Sequence, residues 1–403
     1  MTAQTPSFHR RGLLAGGGAL AAAGLLSALP SAAHAAPGRR STAAGRMPLS
    51  FGRDGTFTVV QFNDTQDGPL TDRRTIELME GVLEREKPGF VVINGDVING
   101  SPRTDREVKQ AYNNVVMPME SRGIPWAITF GNHDEDSVEE NGTSMVEAKI
   151  VDFLRQYEHN LNPAVDEGGR GVPGESNAHL LIRSSKGNRA AFGLWLLDSG
   201  RYAPETVGGQ GHDGLMAYDW IRPEQIDWYQ RLSRDTEKRY GRVPSLMFFH
   251  IPVWEFHHMW HGQQFTSDDA GHAAAVERHG IEGVKNEGIY TGLVNSGMYA
   301  AALERGDVLG MYCGHDHINT FIGDYFGIEL GYGPGTGFGT YGLNDGTADT
   351  HTLRGARVFT LDENAENVYT GSHTVFARDL GIDMAPVKKP LAEPAAFPDY
   401  VSA

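Results

Sequence analysis

Cysteine is almost missing from this 403-residue sequence, in which Cys313 stands alone. An intramolecular disulfide is therefore excluded, and stability has to come from a packed core. Cys313 itself sits in an apolar run and reads as buried and inert. Beyond residue 35 no stretch is long and apolar enough to span a bilayer. Basic residues are outnumbered, with 35 Lys and Arg against 51 Asp and Glu and a formal charge of −16. An acidic surface argues against nucleic acid or an anionic membrane as the main partner. It does not argue against a small phosphorylated ligand, because a bound metal sets its own local field. Several catalytic signatures are absent too. There is no Gly-x-Ser-x-Gly elbow, no His-Glu-x-x-His helix and no Cys-x-x-Cys pair. No motif for a partner protein is evident.

What is present describes a globular α/β protein. The apolar fraction is an ordinary 40%, and 51 glycines imply many tight loops. Arg10 and Arg11 precede a small-and-apolar run from Gly12 to Leu29, and Ala33-His34-Ala35 supplies a small–x–small cleavage pattern. Residues 1–35 therefore read as a twin-arginine-type signal peptide, with a membrane anchor as the plainer alternative. The mature chain is expected to be secreted, extracellular or in the cell envelope, without stable membrane insertion. Losing the two arginines takes its charge from −16 to −18. Residues 36–50 read as a flexible lead-in, 51–382 as the folded domain, and 383–403 as a Pro- and Ala-rich tail that lies along the surface or is disordered.

Within the domain, strands and helices alternate. Phe57–Phe62 reads as a strand, and a helix over about 72–86 turns Ile76, Met79 and Leu83 inward. Phe90–Ile93 is apolar on both faces, as when helices cover both sides of a sheet. Thr104 and Glu107 form a capping box ahead of a helix lined by Val108, Ala111, Tyr112, Val115 and Met119. Ile124–Phe130, Phe192–Leu197, Ser245–Phe249 and Val308–Cys313 are further strands. A helix near 145–159 carries Val146, Ile150, Phe153 and Tyr157, and Pro223 opens another. The expected architecture is a four-layer α/β/β/α sandwich, two mostly mixed β-sheets flanked by helices.

Polar residues fall at the ends of the strands. Five apolar runs lead into Asn63-Asp64-Thr65-Gln66, Gly95-Asp96, Gly131-Asn132-His133-Asp134, His250, and Gly314-His315-Asp316-His317. Ligands of α/β sheets bind beyond the carboxyl ends of the strands, so distant clusters can converge there. Singly, a Gly-Asp is an ordinary turn and one histidine an ordinary core residue. Together they put more polar groups at buried strand ends than structure alone explains. Imidazole and carboxylate donors suit Zn, Fe or Mn without choosing among them.

The motifs “FNDTQ”, “GDVIN”, “GNHDE”, “FFHIP” and “CGHDH”, with “NEGIYTGLVNSGMYAAL” before the last, resemble the calcineurin-like metallophosphoesterase superfamily. The resemblance spans about residues 56–365 and is nearest the branch related to purple acid phosphatases without their chromophore. It implies two divalent or mixed-valence metal ions. Asp64 and His317 would bind the first, Asn132, His250 and His315 the second, and Asp96 would bridge both. His133 would contact the substrate phosphate and protonate the leaving oxygen, making His133 and Asp96 the catalytic pair. A carboxylate can bridge ions about 3.5–4 Å apart where a neutral amide does so poorly. The implied reaction is in-line attack of metal-activated hydroxide on a phosphomonoester, with no phosphoenzyme. A phosphodiester on the same centre is one alternative, and a non-catalytic metal- or phosphate-ligand-binding protein is another.

Two positions depart from the family pattern. Gln66 stands where the first motif usually has His, which predicts a first metal that binds more weakly or takes an extra water, with Gln66 as a ligand through its carbonyl oxygen or an outer neighbour. Asn99 replaces the chromophore Tyr, which predicts no purple colour and leaves Asn99 as a weak ligand or a hydrogen-bonding residue. Asp134 and Asp316 orient ligand histidines or are ordinary surface residues. Asp198-Ser199-Gly200 reads as a turn supporting the metal loops. The His-rich segment from Trp254 to His279 is a lid bringing His257 and His258 to the substrate, a plain loop, or a weak extra metal site. Gly331–Gly342 forms another pocket wall through Tyr332 or Phe338. A nucleotide-binding glycine loop is the weaker reading, since the phosphate-loop lysine is missing.

Overall fold

The computed structural model describes residues 47–164, 171–212, 217–262, 269–344 and 349–403. The expected signal peptide, residues 36–46 of the lead-in and residues 263–268 of the His-rich segment lie outside them. In chain order, β1 (Leu49–Ser50) and β2 (Thr56–Phe62) lead to α1 (Arg73–Glu86), β3 (Phe90–Asn94), α2 (Asp105–Glu120), β4 (Trp126–Thr129), α3 (Asp136–Asn141) and α4 (Glu147–Leu154). Next come β5 (Ala178–Arg183), β6 (Ala190–Leu196), the ribbon β7 (Thr206–Val207) with β8 (Gln210–Gly211), α5 (Pro223–Tyr240), β9 (Ser245–Phe248), α6 (Trp254–His261) and α7 (His272–His279). The chain continues through α8 (Met298–Arg305), β10 (Val308–Cys313), β11 (Ile322–Tyr325), β12 (Ile328–Tyr332), the ribbon β13 (Leu343–Asn344) with β14 (Asp349–Thr350), β15 (Gly355–Asp362) and β16 (Tyr369–Phe376).

Two mixed sheets result, ordered β16-β15-β2-β3-β4 and β1-β5-β6-β9-β10-β12-β11. The strands β2, β3 and β4 run parallel in one, and β6, β9, β10 and β12 run parallel in the other. Side-chain alternation assigns each strand to two layers. Phe57 and Val59 of β2, Phe90 and Val92 of β3, and Phe359 and Leu361 of β15 face Phe192, Leu194, Leu246, Phe248 and Tyr312 of the second sheet. Their neighbours Val60, Phe62, Val91, Ile93 and Val358 face α1 and α2 instead. Trp195, Met247, Met311 and Cys313 face the helices of the other side. The expected four layers are therefore present, and each fully buried Val, Leu or Phe contributes roughly 1.5–3 kcal/mol.

The helices follow their end signals, with shifts. Asp72 caps α1 by accepting from the Arg74 N–H at 3.0 Å. The buried face of α1 is Leu78, Met79, Val82 and Leu83, so Ile76 sits at its edge rather than its centre. Half of the expected capping box forms: Thr104 Oγ1 accepts from the Glu107 N–H, but the Glu107 carboxylate turns to the Arg103 N–H. The helix expected near 145–159 is only Glu147–Leu154, beyond which the amides of Gln156 and Tyr157 close tighter turns on Phe153 and Leu154, and the Tyr157 hydroxyl donates to Asn113. Leu49 and Ser50, within the expected lead-in, pair with β5.

Residues after 382 are hydrogen-bonded to α1 and α2. Buried Arg74 donates to the carbonyls of Asp383, Ala385 and Val387 while gripping Asp72 with two nitrogens. Lys388 Nζ reaches buried Asp67 at 2.8 Å. Gln110 and Asn113 of α2 both donate to the Ala395 carbonyl. Among the described residues, no helix is long and apolar enough to cross a membrane.

Candidate metal centre

Each sheet brings its parallel strands to one edge. Asp64 follows β2 by two residues, Asp96 follows β3 by two, Asn132 follows β4 by three, His250 follows β9 by two, and His315 and His317 follow β10. The strand ends are tied together. Asn94 Nδ2, on β3, donates across to the carbonyls of Phe249 and Tyr312 in the other sheet. The amides of Asp64 and Gln66 donate to the carbonyls of Gly95 and Asp96. Seven non-glycine residues among those described have positive φ, and four of them are Asp64, Gln66, Asp96 and His315. A side chain in that region costs of order 1–3 kcal/mol, so backbone strain is concentrated at this edge. Glycine is required beside it: a Cβ on Gly95 would stand 2.4 Å from His250 Nδ1.

The donors gather in two groups that share one carboxylate. Asp96, His250 and His315 offer atoms within 4.8 Å of one another, and so do Asp64, Asp96 and His317. His250 Nε2 lies 3.1 Å from Asp96 Oδ2, and His317 Nε2 lies 3.5 Å from Asp64 Oδ1. Neighbours orient these groups. His250 Nδ1 faces the Asn94 carbonyl at 3.0 Å, which turns Nε2 into the cluster. Asn132 Nδ2 donates to the Tyr202 hydroxyl at 3.2 Å, which leaves Oδ1 as its free donor atom. Eleven buried side-chain polar atoms among the described residues have no hydrogen-bond partner, and five are Gln66 Oε1, Asp96 Oδ2, Asn132 Oδ1, His250 Nε2 and His315 Nε2. An orphaned buried polar atom costs about 1–3 kcal/mol. Three of these residues, Asp96, His250 and His315, offer ligand atoms within 4.8 Å of one another, and all five are of metal-binding type, which fits a metal centre.

The electrostatics agree. Burial pushes the Asp64 carboxyl up to about 7, opposed by His250. For Asp96, burial is outweighed by the positive His250 and His133, which hold it below the usual carboxylate range. Burial alone would lower His250, yet Asp96 and Asp64 push it up to about 10. A field that holds a proton so firmly also favours a cation between the two carboxylates. His315 is held down to about 3 by burial and by the His250 charge. A neutral imidazole is the form that binds metal.

A family model described as calcineurin-like phosphoesterase matches residues 57–319. The chain belongs to the calcineurin-like phosphoesterase family. It is 30% identical to “Probable inactive purple acid phosphatase 29” of Arabidopsis thaliana over 74% of this chain and 76% of that one. With “Probable inactive purple acid phosphatase 14” of the same plant it shares 28% identity, covering 74% and 75% of the two chains. “Phosphatase DCR2” of Saccharomyces cerevisiae is 28% identical over 83% of this chain, which spans 56% of that protein's length.

Around this calcineurin-like centre, several expected residues take other roles. Asp134 orients no histidine in the contacts it makes: it accepts from the amides of Asp96, Val97 and Gly131 and from the Tyr112 hydroxyl, binding two ligand loops to each other. Asp316 accepts from the Tyr332 hydroxyl and the Tyr290 amide. Tyr332 and Phe338 are core residues rather than pocket walls, at 0% and 2% exposure. Their rings are apolar mass for the two helical layers, and Phe338 also packs beneath Arg74. Asn99 donates to the Gln66 carbonyl and accepts from Ser101, so both ends of its amide are hydrogen-bonded. His257 and His258 lie on α6, not in a loop, with the His257 ring 4.3 Å from His261. Ser199 Oγ accepts from the Ile251 amide, one residue past ligand His250.

Three contributors escaped the sequence reading. Asp136 holds the His133 imidazole. Arg201 binds Asp136 at 2.7 Å, Glu135 at 3.1 Å and the Asn132 carbonyl at 3.0 Å. Tyr202 is the third. Asp136 stands three residues after His133, and Arg201 and Tyr202 directly follow Asp198-Ser199-Gly200. That adjacency was the available signal, but nothing in it says which way the side chains turn.

Proposed function

We propose that this chain hydrolyses phosphomonoesters at a dinuclear metal centre. Asp64 and His317 would hold one ion, Asn132, His250 and His315 the other, and Asp96 would serve both. The observation that carries this reading is the sharing of Asp96 between the two donor groups, the arrangement a bridged pair requires. When bound, such a pair stabilises phosphate oxygens as a Lewis acid and makes water nucleophilic near neutral pH. The chain's own residues do the rest. Asp96 accepts from the His133 backbone N–H at 2.8 Å, which places that imidazole beside the bridge. Burial would lower the His133 pKa, but Asp96 and Asp136 push it up to about 9. As an imidazolium it would bind a phosphate oxygen and donate a proton to the departing alkoxide.

The test is phosphate release from mono- and diesters by the metal-reconstituted protein, with metal content measured in parallel. Turnover of monoesters with two ions per chain supports the proposal. Two ions with turnover of diesters alone moves it to a phosphodiesterase. A second reading, metal or phosphate binding without catalysis, is favoured by Gln66, whose neutral amide oxygen is buried without a hydrogen-bond partner where the family pattern has His. It is also favoured by the word “inactive” in the names of two relatives. One tight ion and no turnover supports that reading. Export by the twin-arginine route rests on Arg10, Arg11 and the run that follows them. Amino-terminal sequencing of protein from the producing cells tests it, and a chain retaining residues 1–35 contradicts it.

A further inference from the structure

Exposed aromatic rings are expensive to leave in water, and here they are concentrated. Among the described residues five exposed aromatics occur, and Tyr202 (43%), Tyr290 (43%) and Tyr341 (45%) border the metal-ligand loops. Tyr341 lies flat on ligand His317, centroids 4.3 Å apart and planes 12° apart. The Tyr290 amide is bonded to Asp316, between His315 and His317. Tyr202 stands edge-on to His133 at 6.4 Å, its hydroxyl on Asn132. Half-buried Tyr218 lies nearly parallel to Tyr202, at 6.0 Å and 28°, and meets ligand His315 edge-on at 4.3 Å. Two tyrosine faces therefore stand beside the proposed proton donor and two proposed ligands of the second ion.

The loop bearing Tyr218 leads onward. Its carbonyl accepts from the Leu293 amide at 2.9 Å, and residues of both segments line a shallow surface groove. Trp220, Ile221, Pro252, Trp254 and Val294 line this groove. Pro252, in this lining, lies two residues past His250 in the chain. The one charged residue of this lining, Asp219, is paired with Arg222, and the other walls are mostly apolar. They offer stacking area and apolar contact, which recognise the organic part of a substrate.

We propose that Tyr202 and Tyr218 form a stacking subsite for an aromatic or heteroaromatic ring carried by the phosphate ester, with the groove at Trp220 and Trp254 taking the rest of the organic group. This rests on the phosphoesterase reading above and narrows its substrate class. The test is calorimetric binding of phenylphosphonate, cyclohexylphosphonate and methylphosphonate to the metal-reconstituted chain, which needs no turnover. Phenylphosphonate should bind about tenfold more tightly than methylphosphonate, the scale of one stacked ring, and more tightly than the cyclohexyl compound. Tyr202→Leu and Tyr218→Leu should each shrink that ratio, while Tyr202→Phe keeps it. Equal binding of the phenyl and methyl compounds overturns the subsite alone, as does a preference undiminished in both leucine variants or phenyl binding no tighter than cyclohexyl. Absence of binding by all three overturns the phosphoester reading together with it.

Discussion

The backbone N–H of His133 donates to Asp96 Oδ1 at 2.8 Å. One carboxylate shared by both donor groups thus also sets the position of the imidazole proposed to act on the leaving group. In the proposed mechanism, metal binding and proton transfer would meet at Asp96.

Asp96→Asn should therefore be the most damaging single change. The amide nitrogen would point a donor at cations, and neither group would keep its shared carboxylate. We expect metal content to fall from two ions to one or none, and activity to fall by more than about 100-fold, the upper end for losing a mere outer partner of a ligand. Elemental analysis after dialysis measures the first effect, and retention of both ions would contradict the bridging role.

His133→Ala should keep both ions and lose rate, by about 10²–10⁴-fold if it supplies general acid catalysis. The sign of the pH effect follows from its pKa. The acid form works, so kcat/KM should decline as pH rises through the His133 pKa, which neighbouring carboxylates, Asp136 among them, raise. Asp136→Asn removes one of those influences, and the alkaline limb should move to lower pH. A limb unmoved in D136N would show that another group titrates there.

Tyr202→Phe removes the hydroxyl that receives Asn132 Nδ2. The amide is then free to flip, and the ion served by Asn132 should bind about tenfold more weakly. Competition with a chelator of known affinity reads this directly, with the other ion as internal control.

Ending the chain at residue 382 should destabilise a region far from the terminus in sequence. Arg74 would lose three carbonyl acceptors, and buried Asp67, one residue from Gln66, would lose Lys388. Hydrogen bonds to charged groups contribute about 1.5–3 kcal/mol each. A loss of at least about 3 kcal/mol is expected in denaturant titrations, and an unchanged midpoint would make the tail a passive appendage.

The layering and the ligand clusters could be read in the linear chain because both are local. Alternation along Phe57–Phe62 and Phe90–Asn94 follows from strand geometry, and Asp64, Asp96 and His250 sit within two residues of the strands that deliver them. Close packing of the ligand loops left a trace as well, in the glycines at 95, 131 and 314, where a Cβ would meet His250, Asp96 and Asp64. Other features depend on contacts between remote segments, for which local pattern holds no information. Tyr332 and Phe338 looked like pocket walls within a glycine-rich stretch, yet each fills a core layer, because the strand that carries a residue does not specify what covers it. The Arg201–Asp136–His133 chain spans 65 residues between arginine and aspartate, and the tail's docking on Arg74 spans more than 300. Folding alone sets such partners, since desolvating each charged group is tolerable only where another part of the chain arrives to meet it.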